Sequence, residues 1–163
     1  MRIRRATTGD AAGITAVLSA VAAERVHSAI DRAWTVDEER RYLESLTSRQ
    51  AIHVAVDDAS TIVGLQVLDL WSPGLESTAH VGQLGTFLLS GHRGRGVGRQ
   101  LWLATAPAAR AAGYRKLVVQ VRASNLHAQA FYRGLGFDEC GRLTRQVVID
   151  GQEDDEIVME LFL

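Results

Sequence analysis

His92-Arg93-Gly94-Arg95-Gly96-Val97-Gly98-Arg99 lies between an apolar run, 79–89, and an alanine-rich stretch, and its reading governs everything placed around it. At the start of a helix the first backbone N–H groups have no intrahelical partner, and the macrodipole leaves that end partly positive. Glycines let the main chain approach an anion with no Cβ in the way, and arginines add mobile positive charge. The stretch therefore has the make-up of a diphosphate cradle. The plain alternative is an exposed turn that happens to be rich in Gly and Arg. Two familiar phosphate loops fail on spacing: Val97 and Gly98 follow Gly96 where an ATPase loop needs Lys and Ser/Thr, and the third glycine of a dinucleotide fingerprint would fall on Arg99.

Working outward, the run 79–89 reads as a strand, and residues from about Gly98 to Ala112 read as a helix stopped by Gly113. Pro107 predicts a kink or restart inside it, because proline removes a backbone donor. Upstream, 2–5 reads as a short strand, about Asp10 to His27 as a helix, and Thr35 to about Leu46 as a second helix opened by the capping-box spacing Thr35-Val36-Asp37-Glu38. The runs 52–56 and 61–70 form a hairpin across Asp57-Asp58-Ala59-Ser60. Downstream come a buried strand at 117–122, a short helix at 125–135 ended by Gly136, and two strands near 137–149 and 156–162 flanking an acidic tip, 150–156. No repeat or linker divides the chain, so one mixed α/β domain over 1–163 is expected.

The second informative stretch is Asn125-Leu126-His127-Ala128-Gln129-Ala130-Phe131-Tyr132-Arg133-Gly134-Leu135-Gly136-Phe137. Asn125 is placed to cap the helix, Phe131 and Leu135 share a face, and Tyr132 lies one position round. On its own this is equally a tyrosine packed in a core.

Composition removes other classes. Eighteen Lys+Arg against nineteen Asp+Glu give a net charge of −1, so wholesale electrostatic capture of nucleic acid or of an anionic membrane is not expected. Aromatic residues at 6% argue further against an RNA-binding surface around Arg93, Arg95 and Arg99. The single cysteine, Cys140, forms no internal disulfide and is expected to be a buried or half-buried small residue. His27, His53, His80, His92 and His127 show no ligand spacing, so no metal is expected. Arg2, Arg4 and Arg5 before the apolar run to Ala23 imitate a secretory leader. Asp10 and the helical spacing of Ile14, Val17, Leu18 and Val21 point instead to a buried helix face, hence a cytoplasmic chain.

The two stretches together resemble the GNAT superfamily of acetyl-coenzyme A-dependent N-acetyltransferases. The phosphate-loop pattern Arg/Gln-x-x-Gly-x-Gly/Ala is met by Arg93, Gly96 and Gly98, and the downstream Asn-x-x-Ala-x-x-Phe-Tyr…Gly-Phe by Asn125, Ala128, Phe131, Tyr132, Gly136 and Phe137. The close match covers about residues 80–137; segments 80–98 and 137–162 look most like the branch that acetylates free amino acids or other small amines. The resemblance implies a mostly antiparallel central sheet of about seven strands, splayed between strands 4 and 5, with helices on both faces. It also implies a homodimer by family habit.

The same resemblance assigns roles. Thr86, Phe87 and Leu88 would contact the acetyl-pantetheine part, with the Leu88 amide facing the thioester carbonyl; Arg93, Gly94, Arg95, Gly96, Val97, Gly98 and Arg99 would hold the pyrophosphate. Asn125 would contact the pantetheine arm, Phe131 would line the site, and Tyr132 would approach the leaving sulfur. No covalent enzyme intermediate is implied, since the amine attacks bound acetyl-CoA directly. The base is open. Where some family members carry a glutamate, five residues before the motif asparagine, this chain has Gln120. Candidates are His80, Glu76, His27 and Glu153 to Glu156, with His80 assisting a water-mediated deprotonation; His27, Trp34, Glu153 and Asp155 are expected to meet the substrate. The expected acceptor is a small-molecule primary amine such as an amino acid or polyamine. A noncatalytic acyl-CoA-binding domain and acetylation of a protein N-terminus are the alternatives.

Overall fold

The computed structural model describes all 163 residues. In chain order the elements are β1 (Arg2–Arg5), α1 (Ala11–Ala23), α2 (Val36–Ser45), β2 (Ala51–Val56), β3 (Ile62–Leu70), β4 (Val81–Leu88), α3 (Val97–Ala111), β5 (Lys116–Arg122), α4 (Leu126–Gly134), β6 (Asp138–Ile149) and β7 (Gln152–Phe162), with short 3-10 turns before α1, β4 and α3. All seven strands form one sheet in the order β1-β2-β3-β4-β5-β7-β6. Every neighbouring pair is antiparallel except β4 and β5.

That one parallel pair creates the feature on which function depends. β4 and β5 are in register only over Val81↔Lys116, Gly82↔Leu117 and Gln83↔Val118. Beyond this point β4 stays bound to β3 as far as Leu88↔Gly64, and β5 stays bound to β7 as far as Arg122↔Glu156. The two strands therefore part, and each leaves an unpaired edge facing a V-shaped gap. The fold class expected from the sequence is the one observed.

Alternating side chains put apolar residues on both faces of the sheet, and the helices cover them. On one face Ile14, Val17 and Val21 of α1 and Leu43 of α2 pack against Ile52, Val54, Ile62 and Leu65. On the other, Tyr132 and Phe137 pack with Leu84, Leu117, Val119, Val121 and Met159, and Leu101 of α3 packs on Ala55 and Val63. Fully burying one such aliphatic side chain contributes about 1.5–3 kcal/mol relative to leaving it exposed.

Four details differ from the sequence expectation. α1 stops at Ala23 rather than His27, because Arg25 adopts a left-handed backbone (φ 58) that a helix cannot continue through. α3 runs unbroken from Val97 to Ala111 through Pro107. The acidic run is not a loop: Asp150 and Gly151 make the turn with positive φ, and Gln152 onward belongs to β7. Cys140 is exposed, since its position on β6 lies along a strand with one outward, largely uncovered edge. No helix is long and apolar enough to cross a membrane.

Candidate active site

The gap between β4 and β5 deepens into a cleft of about 990 Å³. One end is the loop into α3. Gly94 and Gly96 there have φ of 69 and 78, and a Cβ on either would meet nothing within 4 Å. The backbone needs glycine for its left-handed turns, and the space beside them is open to a ligand. Gly96 caps α3 without any side-chain bond, and the first intrahelical donor after it is Gln100 N–H to Gly96 O at 3.0 Å. The amides of Val97, Gly98 and Arg99 thus point out of the helix end, all three residues lining the cleft. Gly98 has a second reason to lack a side chain: a Cβ would sit 3.0 Å from the Phe131 ring.

The arginines divide. Arg99 lines the cleft and Arg95 stands outside its lining, both exposed. The Arg93 guanidinium is turned inward, donating from Nε and Nη2 to Leu88 O at 3.0 and 2.8 Å and pairing with Glu24 at 2.7 and 2.9 Å. Its side chain braces the end of β4 to α1; only its main chain is left for a phosphate.

The β4 wall offers main-chain groups. Leu89 N–H donates to Val63 O, and Trp71 N–H donates to Val81 O, so odd-numbered residues of this strand turn their amides and carbonyls toward β3. Alternation then turns those of Leu84, Thr86 and Leu88 toward the gap. With the Leu88 carbonyl taken by Arg93, its N–H remains as a donor into the cleft.

Tyr132 rises from α4 into the same space, packed on Phe131 and Phe137 with ring centroids 5.0 and 5.4 Å away. Its Oη lies 3.0 Å from Thr86 Oγ1, which also accepts from Gln66 Nε2 at 2.9 Å. Either hydroxyl can donate across the Tyr132–Thr86 contact. In the structure Tyr132 Oη donates to Thr86 Oγ1; rotation of the two hydroxyls, so that Thr86 donates instead, frees the phenolic proton for the cleft. Burial pushes the phenol up to about 12, opposed by hydrogen bonds from the Thr86 side chain and backbone. Gln66, fully buried, is not among the residues expected from the sequence, where the one sign of it is a glutamine between Leu65 and Val67 in an apolar run.

The opposite wall carries charge. Gln120 and Glu156 both line the cleft, joined by Gln120 Nε2 to Glu156 Oε2 at 3.4 Å. Glu156 is buried, and burial, followed by the charge of Asp154, raises its carboxyl above the ordinary glutamate range. Of the four acidic candidates on the last hairpin, only Glu156, on β7 opposite Arg122 of β5, lines the cleft. His27 lines the cleft too, its Nε2 3.8 Å from Glu24. Asn125 caps α4 by accepting from Ala128 N–H at 3.0 Å, and its amide donates to His27 O at 2.8 Å, tying α4 to the segment after α1.

Thr86, Phe87, Leu88, Asn125, Phe131 and Tyr132 are thus brought together around one space. His80 is not. It precedes β4 at the closed end of the V, where its carbonyl receives the amides of Arg115 and Lys116, and it is absent from the cleft lining. Eight residues of strand separate it from Leu88, a span of about 26 Å. Glu76 lies in the turn before it, also outside the cleft. Glu153 pairs with Arg145, and Asp155 with Arg142, both on the far side of the hairpin from the cleft lining. Trp34 lines a neighbouring pocket instead. No group of three or more His, Cys, Asp or Glu is gathered as a metal site.

The same architecture occurs in solved structures. A ribosomal-protein-alanine N-acetyltransferase from Brucella melitensis superposes with a TM-score of 0.90 at 24% identity, covering 100% of both chains. A phosphinothricin acetyltransferase from Sinorhizobium meliloti, in complex with acetyl-CoA, gives 0.91 at 19% identity over 99% of this chain and 88% of that one. The yncA protein of Salmonella typhimurium, with its cofactor acetyl-CoA, gives 0.91 at 21% identity over 100% and 94%. These likenesses show the fold. No curated protein matches in sequence. The sequence pattern of the acetyltransferase (GNAT) family, however, matches residues 21–137, well over half of the chain, and the protein belongs to that family.

Proposed function

We propose that the protein transfers an acetyl group from acetyl-CoA to a primary amine of a small molecule, by direct attack within a ternary complex. The carrying observation is the placement of an anion-ready helix end, a main-chain donor edge, a phenol and a partly desolvated carboxylate around one cleft. The unblocked space beside Gly94 and Gly96 fits a pyrophosphate held by the amides of Val97, Gly98 and Arg99. The free edge of β4 suits an arm that pairs with it as an added strand would. Leu88 N–H is the donor available to a developing oxyanion.

The acceptor enters from the wall of His27, Gln120 and Glu156. As the amine nitrogen bonds to the thioester carbon, the C–S bond breaks, the nitrogen loses a proton and the sulfur gains negative charge. Glu156 is the group placed to take the proton, directly or through water, with Gln120 Nε2 holding its carboxylate in place. Tyr132 is the donor placed to meet the sulfur. With the phenol near 12 and an ordinary thiol near 8.5, complete proton transfer is uphill by roughly 3.5 pH units, about 5 kcal/mol, so Tyr132 acts chiefly by hydrogen bonding until the thiolate is well formed. The carboxylate at Glu156 also supports a catalytic role over a purely acyl-CoA-binding one.

Acetyl-CoA should raise the melting temperature in a saturable way, by an amount set by its concentration relative to Kd. Thiol release should then require an amine drawn from amino acids, polyamines, aminoglycosides or alanine-starting peptides. No melting shift and no calorimetric heat with acetyl-CoA, using folded protein, would refute the reading. Turnover confined to peptides would refute its small-molecule part.

A further inference from the structure

Beside the cleft, sharing Ile30 and Phe87 with it, is a second pocket of about 300 Å³ beneath the connection between α1 and α2. Its walls are mostly apolar or aromatic, and Trp34 and Tyr42 meet edge to face at 5.3 Å. Two carboxylates face this space, and they differ. Asp69 is fully engaged, accepting from Tyr42 Oη at 2.6 Å, from Gln50 Nε2 at 2.7 Å and from Leu70 N–H at 2.7 Å. Glu39 is only 2% exposed, makes no ion pair, and lines this pocket, where its carboxylate oxygens keep the little accessible surface they have.

The location of Glu39 makes this more telling. On α2 it lies three residues after Val36 and four before Leu43, on the stripe that packs against the sheet. An apolar residue would satisfy that position. A buried carboxylate without a partner destabilises a fold, and burial raises its pKa accordingly. Arg32, the one cation lining the pocket, is exposed and makes no ion pair with it.

We propose that this pocket is the acceptor's specificity subsite, and that it takes a second, non-reacting ammonium group. The structure then assigns the acceptor to the class of diamines: one amine in the cleft, an apolar spacer passing Phe87 and Ile30, and a distal cation paired with Glu39 against Trp34 and Tyr42. A carboxylate flanked by aromatic rings is the chemistry that recognises an ammonium ion. A neutral hydroxyl or amide would leave the Glu39 charge uncompensated. A metal ion would find only one uncommitted carboxylate, since Asp69 is already occupied.

This inference rests on the cleft being an acetyl-transfer site, and the test separates the two. Thiol release is measured with the full chain and acetyl-CoA for linear monoamines and α,ω-diamines of matched, graded chain length. At some spacer length the diamine should exceed its monoamine in kcat/KM by roughly 10- to 100-fold, as expected for a buried charge-assisted pairing. In Glu39→Gln that ratio should collapse toward one, mainly through KM. The melting temperature of Glu39→Gln without acceptor should rise, because an unpaired buried charge has been removed. Trp34→Ala, at a residue 45% exposed, perturbs the rim without touching the core and should lower the same ratio several-fold. A wild-type ratio near one at every length, or one that neither substitution changes, overturns the diamine assignment while an intact acetyl-CoA melting shift leaves the donor site standing. Loss of that shift in wild type defeats both.

Discussion

The side of the cleft proposed for the acetyl donor is almost one continuous piece of chain, Leu84 to Arg99, completed by α4, whereas the side proposed for the acceptor is gathered from His27, Ile30, Gln83, Gln120 and Glu156. The proposed donor side offers main-chain N–H groups, glycines and one phenol. Its chemistry depends on backbone direction: the strand alternation that turns Leu88 toward the gap, and the left-handed turns at Gly94 and Gly96. The proposed acceptor side offers side chains, and its carboxylate, Glu156, is buried with a neutral amide, not a cation, as its partner. A thioester carrier common to a whole family can be served by fixed backbone geometry. An acceptor that must be distinguished from others requires groups whose charge and position are tuned one at a time.

The sharpest way to probe the donor side is Tyr132→Phe, which keeps the rings packed against Phe131 and Phe137 and removes only the hydroxyl. The expected loss is on the order of 10²–10³-fold in kcat, within the general-acid range or just below it. Equilibrium acetyl-CoA affinity should change little, which calorimetry can check. Wild-type turnover in this variant would remove the phenol from the reaction.

Glu156→Gln probes the other wall, with an expected drop of roughly 10²-fold in kcat/KM for the acceptor. The working form is the carboxylate, and burial with the Asp154 charge raises its pKa, so wild-type activity should fall as pH drops through a value above the ordinary glutamate range of about 4.3. Arg122, bound to Asp154 at 2.8 Å, and the neutral amide of Gln120 are the other polar neighbours. The acceptor amine's own ionisation shapes the profile at higher pH and stays in both proteins. The variant should lose the limb due to Glu156 alone. A pH–rate profile identical to wild type would show that this carboxylate takes no proton.

The same contrast explains what could be read before the fold was seen. The loop from Arg93 to Arg99 and the run from Asn125 to Phe137 are local, so spacing exposed the helix end, the cap at Asn125 and the placing of Tyr132. Arg93 was legible as a motif residue but not as a brace, because its partner Glu24 lies 69 residues away. The last hairpin offers four candidate acids, Glu153 to Glu156, and the sequence has no means of choosing among them. Only the pairing of β5 with β7 turns Glu156 into the cleft and leaves Glu153 and Asp155 on salt bridges elsewhere. His80 looked attractive because it begins a strand of the site, yet it begins that strand at its closed end. Glu39 escaped notice inside the acidic first turn of α2, although helical spacing from Val36 and Leu43 would have marked it as inward-facing.

A third carboxylate supplies the control for these two. Asp10 is also buried, but Arg4 meets it through two bonds of 2.7 Å, and the Thr7 amide and hydroxyl donate to it at 2.7 and 2.9 Å. The Arg4 bonds dominate over burial and bring its pKa down to about 2. A carboxyl held below its unfolded value near 3.9 stabilises the fold fully above that pH and loses the contribution as pH falls through about 2, a contribution of about 2–3 kcal/mol. Asp10→Asn should therefore be destabilised by about that amount in urea unfolding at neutral pH, with the gap to wild type closing in strong acid. Glu39 has the opposite sign: its raised pKa means that its burden on the fold grows as pH rises above the ordinary glutamate value, so Glu39→Gln should gain most at neutral pH. If both substitutions moved stability in the same direction at neutral pH, the distinction between a carboxylate kept for the fold and one kept for a ligand would fail.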